Sequence, residues 1–262
     1  MSFVRTTQGD FVYDAHSLSG IIERIDSDLP RRVEYLKKEP IVTVGYMTSL
    51  DMNTPMRYQT VRVQEERNSK LVGILLAHPR SAISKSEIVS HLNYFHHRSG
   101  EAIDFFCVGY GAYWPDNHYP DQDSTARVDG VDWLFSEKAF SDVIQELESE
   151  SKWQYSGETE LLLISARKEE DGNTSMDYSS AIVCNLEAMQ KDQAFTSVRS
   201  FFEGIFRFAK KNSCSDETWG LSDQQGLKVG QSAIKDAVLS LLPKNLKDSY
   251  KKAEHYAVRN IA

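Results

Sequence analysis

Two apolar runs with a capped amphipathic stretch between them constrain this chain most. Leu71-Val72-Gly73-Ile74-Leu75-Leu76-Ala77 is almost continuously apolar, and so is Ile103-Asp104-Phe105-Phe106-Cys107-Val108. A strand that is apolar on both faces belongs in the middle of a sheet covered on both sides. The first run breaks at His78-Pro79-Arg80-Ser81. Ser84-Lys85-Ser86-Glu87 then has capping-box spacing, in which the Ser84 hydroxyl accepts from the Glu87 amide and the Glu87 carboxylate reaches back. Ile88, Leu92 and Phe95 follow on one helical face. Two strands joined through a crossing helix are parallel.

The flanking segments read as follows. Ser17 caps a helix over Leu18–Ile25, and Asp28-Leu29-Pro30 starts a second one carrying Val33 and Leu36. Ile41–Met47 and Tyr58–Gln64 read as the strands of an edge hairpin, with Glu65–Lys70 as a charged turn. A long loop over Ala112–Asp132 is followed by Trp133-Leu134-Phe135 and a helix bearing Phe140, Val143, Ile144 and Leu147. Glu160–Ser165 and Tyr178–Asn185 form an antiparallel hairpin around Asp171-Gly172-Asn173. Phe195–Ala209 is a helix with a broad apolar face, and Ala233–Leu242 and Leu246–Val258 make a basic helical tail.

The expected fold class is therefore α/β with a mixed central sheet, a βαβ unit joined to a ββα unit. Residues 1–70 supply an N-terminal helical pair and edge hairpin, 71–210 the α/β core, and 211–262 a C-terminal helical extension. From Leu71 to Ala209 this order of elements resembles the thioredoxin-like fold, on topology alone. That resemblance implies the scaffold only. Thioredoxin-like oxidoreductases carry reactive cysteines at the first strand–helix junction, where this chain has His78-Pro79-Arg80-Ser81-Ala82-Ile83-Ser84. The family's proline before the third core strand also has no counterpart near Glu158–Leu161. A redox-inactive scaffold follows.

Composition narrows the partners. The net charge is −8, and a uniformly acidic surface repels phosphate backbones, which argues against nucleic acid unless a local basic patch overrides it. The three cysteines, Cys107, Cys184 and Cys214, have no framework spacing, so a reducing, cytoplasmic setting is expected. The amino terminus does not read as a signal peptide, and no apolar run approaches the ~20 residues of a membrane span.

The junction His78–Lys85 is the first candidate site, because ligands favour the carboxyl ends of parallel strands, where helix amides lie free. His78, Arg80, Ser81, Ser84 and Lys85 offer donors and positive charge for a small anionic ligand, with Tyr110 at the end of the neighbouring strand. Tyr113, Trp114 and Tyr119 in the long loop suit a protein contact. His91, His96 and His97 lack the i, i+4 spacing of zinc helices, and the Asp121–Asp132 stretch lacks the central glycine and final glutamate of a calcium loop, so neither metal nor cofactor is implied. No nucleophile elbow, dinucleotide fingerprint or phosphate loop is present. The expectation is a non-enzymatic interaction or accessory protein, with a protein partner or a second copy of itself. The alternative is an enzyme or sensor for a phosphate- or nucleotide-containing ligand at the junction.

Overall fold

In the computed structural model, which describes residues 17–40, 58–100, 103–213, 234–251 and 257–260, the two apolar runs are neighbouring parallel strands. Strand β3 (Ser69–Leu76) pairs in parallel with β4 (Ile103–Cys107), Leu71 opposite Ile103 and Leu75 opposite Cys107. On its other side β3 pairs antiparallel with β8 (Glu160–Lys168), and β8 pairs antiparallel with β9 (Thr174–Asn185). A short strand, β10 (Val258–Asn260), closes the far edge, giving the order β10-β9-β8-β3-β4. With a neighbour on each side, β3 is buried from Lys70 to Leu76, which is why its sequence does not alternate.

Adjacent residues of β4 show how the faces are covered, since successive side chains point to opposite sides of a strand. Phe105 packs within 5.2–5.9 Å of Phe95, Phe202 and Phe206, so α2 (Leu92–Arg98) and α5 (Val198–Ser213) lie on one face. Asp104 points the other way, to Lys70, which also reaches Asp28 at the end of α1 (Leu18–Ser27). On that second face α1 rests against α3 (Glu137–Glu150), whose Glu146 carboxylate accepts from the Leu18 amide. Gly73 is needed for the first face, because a Cβ there would sit 2.7 Å from the Phe105 ring. The fold is thus mixed α/β with helices on both sides of a mixed sheet.

Further elements extend this core. Strands β5 (Tyr110–Ala112), β6 (Asp123–Val128) and β7 (Val131–Phe135) form a separate antiparallel sheet in the order β5-β7-β6. Asn93 ties that sheet to α2, donating to the Val128 carbonyl at 2.7 Å and accepting from the Trp133 indole at 2.6 Å. After β9 comes α4 (Leu186–Lys191), capped by the Asn185 side chain. The tail helices α6 (residues 234–241) and α7 (Lys244–Tyr250) lie on either side of Pro243. Leu241 of α6 fits over Gly204 of α5, where a Cβ would stand 2.5 Å from it, and Ile234, Val238 and Leu242 join the main core.

Several expectations need correction. The second N-terminal helix is instead strand β1 (Arg31–Pro40), paired antiparallel with β2 (Tyr58–Arg67) from Arg31–Arg67 to Pro40–Tyr58. Two apolar positions were too few to fix a helical face, and β2 supplied the ladder partner that decided the matter. The hairpin strand expected over Ile41–Met47 lies outside the described residues. Glu65–Lys70 is no extended turn, because β2 runs to Arg67 and β3 starts at Ser69. The segment Ala112–Asp132 is not one long loop, since it contains β6 and the turn into β7. Finally, the helix expected over Leu246–Val258 ends at Tyr250, and Val258 lies opposite Cys184 in the sheet.

Candidate functional site

The junction after β3 is built from short polar links. The Ser81 hydroxyl, and not that of Ser84, caps the following turn, accepting from the Ser84 amide at 3.1 Å. Glu87 does not reach back as a capping box requires. Its carboxylate instead takes the Val198 amide at 2.6 Å, at the start of α5, and a Gln190 side-chain amide at 3.2 Å. Relieved of that box, the chain passes through a π-helical turn (Ser84–Ile88) and a 3-10 turn (Val89–His91) before α2.

The hydroxyls of Ser81 and Ser84 face Thr159, just ahead of β8. Ser81 Oγ lies 2.8 Å from Ser84 Oγ and 2.9 Å from Thr159 Oγ1. Thr159 donates its hydroxyl proton to Glu187 Oε1 at 3.1 Å, and its amide approaches the same oxygen at 3.2 Å. Ser84 and Thr159 are buried. The donors of this corner therefore run through one another and end on a carboxylate.

His78 is held as firmly. Its Nδ1 accepts from the Arg80 amide at 3.0 Å, which leaves the hydrogen on Nε2 to be donated to Glu137 Oε2 at 2.8 Å. The ring stands edge-on to Phe135 and Phe140, with centroids at 5.2 and 5.5 Å. Arg80 is exposed and lies 3.9 Å from the same Glu137 oxygen, and Lys85 is exposed. Tyr110 is buried and donates to the Ala77 carbonyl at 2.7 Å, so its ring faces the core and its phenol is pushed well above the usual range by that burial. Glu137 thus receives His78, Glu187 ends the chain of Ser81, Ser84 and Thr159 hydroxyls, Tyr110 turns to the core, and Lys85 is left at the surface.

The aromatic residues of the 112–132 segment separate. Trp114 is buried against Gly111 and packs on Tyr119 at 5.1 Å, and Tyr119 is half-buried. Tyr113 is 42% exposed and has a φ of 63°. Two aspartates of this segment have structural partners: Asp121 accepts from Ser136 Oγ and the Lys138 amide at the start of α3, and Asp132 lies 3.6 Å from Arg127. Burial pushes the Asp121 carboxyl up, but those hydrogen bonds outweigh it and hold it below the usual carboxylate range. His91 Nδ1 lies near the Glu87 carbonyl and Ser90 Oγ. Burial pushes the Cys107 thiol up to about 12 and raises that of Cys184 further, so neither presents a thiolate near neutral pH.

One constellation was missed by sequence reasoning. Tyr94 and Arg98 of α2 face Arg199, Glu203 and Arg207 of α5 across an open cleft of about 520 Å³. Glu203 receives Arg98 through two bonds of 2.8 and 3.1 Å, Arg207 Nε at 3.1 Å, and the Tyr94 hydroxyl. Arg199 lies over the Tyr94 ring at 4.3 Å. Burial pushes the Glu203 carboxyl up, but the bonds from Tyr94, Arg207 and Arg98 more than offset this and hold it below the usual value. The available signal was the i, i+4 series Arg199, Glu203, Arg207 on one helix face.

Comparison with known proteins finds no matching family model, no matching curated protein and no matching solved structure. Among the described residues no helix is long and apolar enough to cross a membrane.

Proposed function

We propose that the protein is a non-enzymatic interaction or accessory protein on a redox-inactive thioredoxin-like scaffold, and that Tyr113 anchors its protein partner. The strand order β4-β3-β8-β9, with one parallel and two antiparallel pairings, supports the scaffold reading. So does the junction, where serines stand in place of reactive cysteines and bond to one another. The alternative, an anionic ligand over His78–Lys85, has less support, because the histidine and hydroxyl donors there already end on Glu137 and Glu187, and Glu137 also sets a carboxylate beside Arg80.

Tyr113 carries the reading. A bulky side chain at positive φ costs about 1–2 kcal/mol relative to an ordinary backbone. Here the strained residue leaves 42% of its surface exposed, so part of a large aromatic side chain at a costly backbone position remains open to a partner. Tyr113→Gly removes ring and strain together. Its melting temperature is expected to stay level or rise, while a partner captured by the wild-type protein is lost. Sedimentation of both forms shows whether that partner is a second copy. If the variant captures the same protein as strongly, or is clearly less stable, Tyr113 serves the fold and the reading fails.

A further inference from the structure

We infer that the cleft between α2 and α5 binds a phosphomonoester whose organic body packs against Phe195 in the pocket beside it. The argument starts from charge. On a chain of net charge −8, three guanidiniums converge on one cleft with a single carboxylate among them. Glu203 is enough to satisfy one arginine bidentately, and it does so for Arg98. Arg207 gives it only Nε and remains 76% exposed, and Arg199 points its planar cation over Tyr94. The local excess is two positive charges, close to the ~−2 of an ionised phosphate monoester at neutral pH.

Geometry adds to this. Glu203 and Tyr94 hold the cations in place, so little side-chain freedom is lost when an anion arrives. Guanidinium forks match phosphate oxygens in pairs, and Ser197 and Ser200 line the same cleft, the Ser200 hydroxyl being donated to the Ser197 carbonyl at 2.8 Å. The start of α5 is not counted as a source of positive charge, because Glu87 already occupies the Val198 amide.

A second pocket, of about 620 Å³, shares Ser200 with the cleft and is of mixed character, with half-buried Phe195 and Leu241 beside Gln193 and Thr196. Phe195 and Phe201 lie stacked with centroids 5.5 Å apart. Both spaces fall in the ~300–1,000 Å³ range of small-molecule sites. Ser200, common to both linings, sets the charged cleft and the space beside Phe195 next to each other.

The test is calorimetric titration of the full chain with inorganic phosphate and with phenyl phosphate. Phenyl phosphate is expected to bind saturably and more tightly than phosphate, and both affinities to fall with added salt. The double variant Arg199→Gln/Arg207→Gln changes two exposed side chains, so its melting temperature should hold while phenyl phosphate affinity drops at least about tenfold. Phe195→Ala should bring phenyl phosphate down to the level of phosphate. The proposal is overturned if phenyl phosphate shows no saturable binding below about 1 mM, or binds the double variant as tightly as wild type. Equal affinity for phosphate and phenyl phosphate in the wild type overturns the role of Phe195 and the second pocket.

Discussion

Lys70→Met should be among the most damaging substitutions in the sheet, and its damage should depend on pH. Lys70 and Asp104 are each 3% exposed, with Nζ 2.6 Å from Asp104 Oδ1, and Asp104 Oδ2 is buried with no hydrogen-bond partner. At an effective dielectric of about 20, charges at 2.6 Å attract by about 6 kcal/mol, against a desolvation cost of several kcal/mol for each ion. The intact pair is therefore close to neutral for stability. Removing the lysine leaves the carboxylate buried beside Asp28 without its nearest cation, which costs about 3–5 kcal/mol. Burial raises the Asp104 carboxyl even in the wild type, with Lys70 pulling it partly back. A carboxyl raised by folding favours the native state when protonated, and that contribution is lost as pH rises through its folded value. Without Lys70 the carboxyl rises further, so the loss should be greatest from neutral pH upward and shrink under acid. Urea unfolding followed by tryptophan fluorescence at several pH values measures this. Lys70→Met/Asp104→Leu should recover most of the loss. A deficit below about 1 kcal/mol at neutral pH, or one that does not vary with pH, would refute the reasoning.

Two further substitutions test the core. Glu87→Ala removes the carboxylate on the Val198 amide and should destabilise the fold by about 0.5–2 kcal/mol in urea unfolding, whereas a local capping role confined to Ser84 would leave α5 untouched. Gly111→Ala would place a Cβ 2.0 Å from Trp114 Cε2, so the indole must move; a loss of about 1–3 kcal/mol with a changed tryptophan emission is expected, and an unchanged spectrum would contradict the packing.

The strands readable in sequence are those whose environment is uniform along their length. β3, the first half of β8 and the second half of β9 are buried on both faces, so their composition alone marks them. β1 was misread because its identity comes from its pairing with β2 rather than from its own weak pattern. β6 was hidden among aspartates because its side chains are exposed or half-buried, which leaves a polar strand looking like a loop. At the junction, Ser81 and Ser84 were equally good caps locally. What separates them involves Thr159, 78 and 75 residues further on, and Glu87's engagement with α5. Of the arginine cleft only the Arg199, Glu203, Arg207 series was legible, since Arg98 and the glutamate that positions it are 105 residues apart. Residue types at the junction were legible, but the carboxylates that complete it, Glu137 and Glu187, come from other elements.

Strand β10 has a consequence in time as well as space. Its three residues pair with Ile182–Cys184 along the outer side of β9, and they are synthesised well after the strand they cover. Until Val258–Asn260 have been made, the apolar end of β9 has an open ladder, the kind of edge that templates pairing with another strand. A nascent chain thus passes through an interval in which its sheet is nearly finished but unguarded, and three late residues bring that interval to an end.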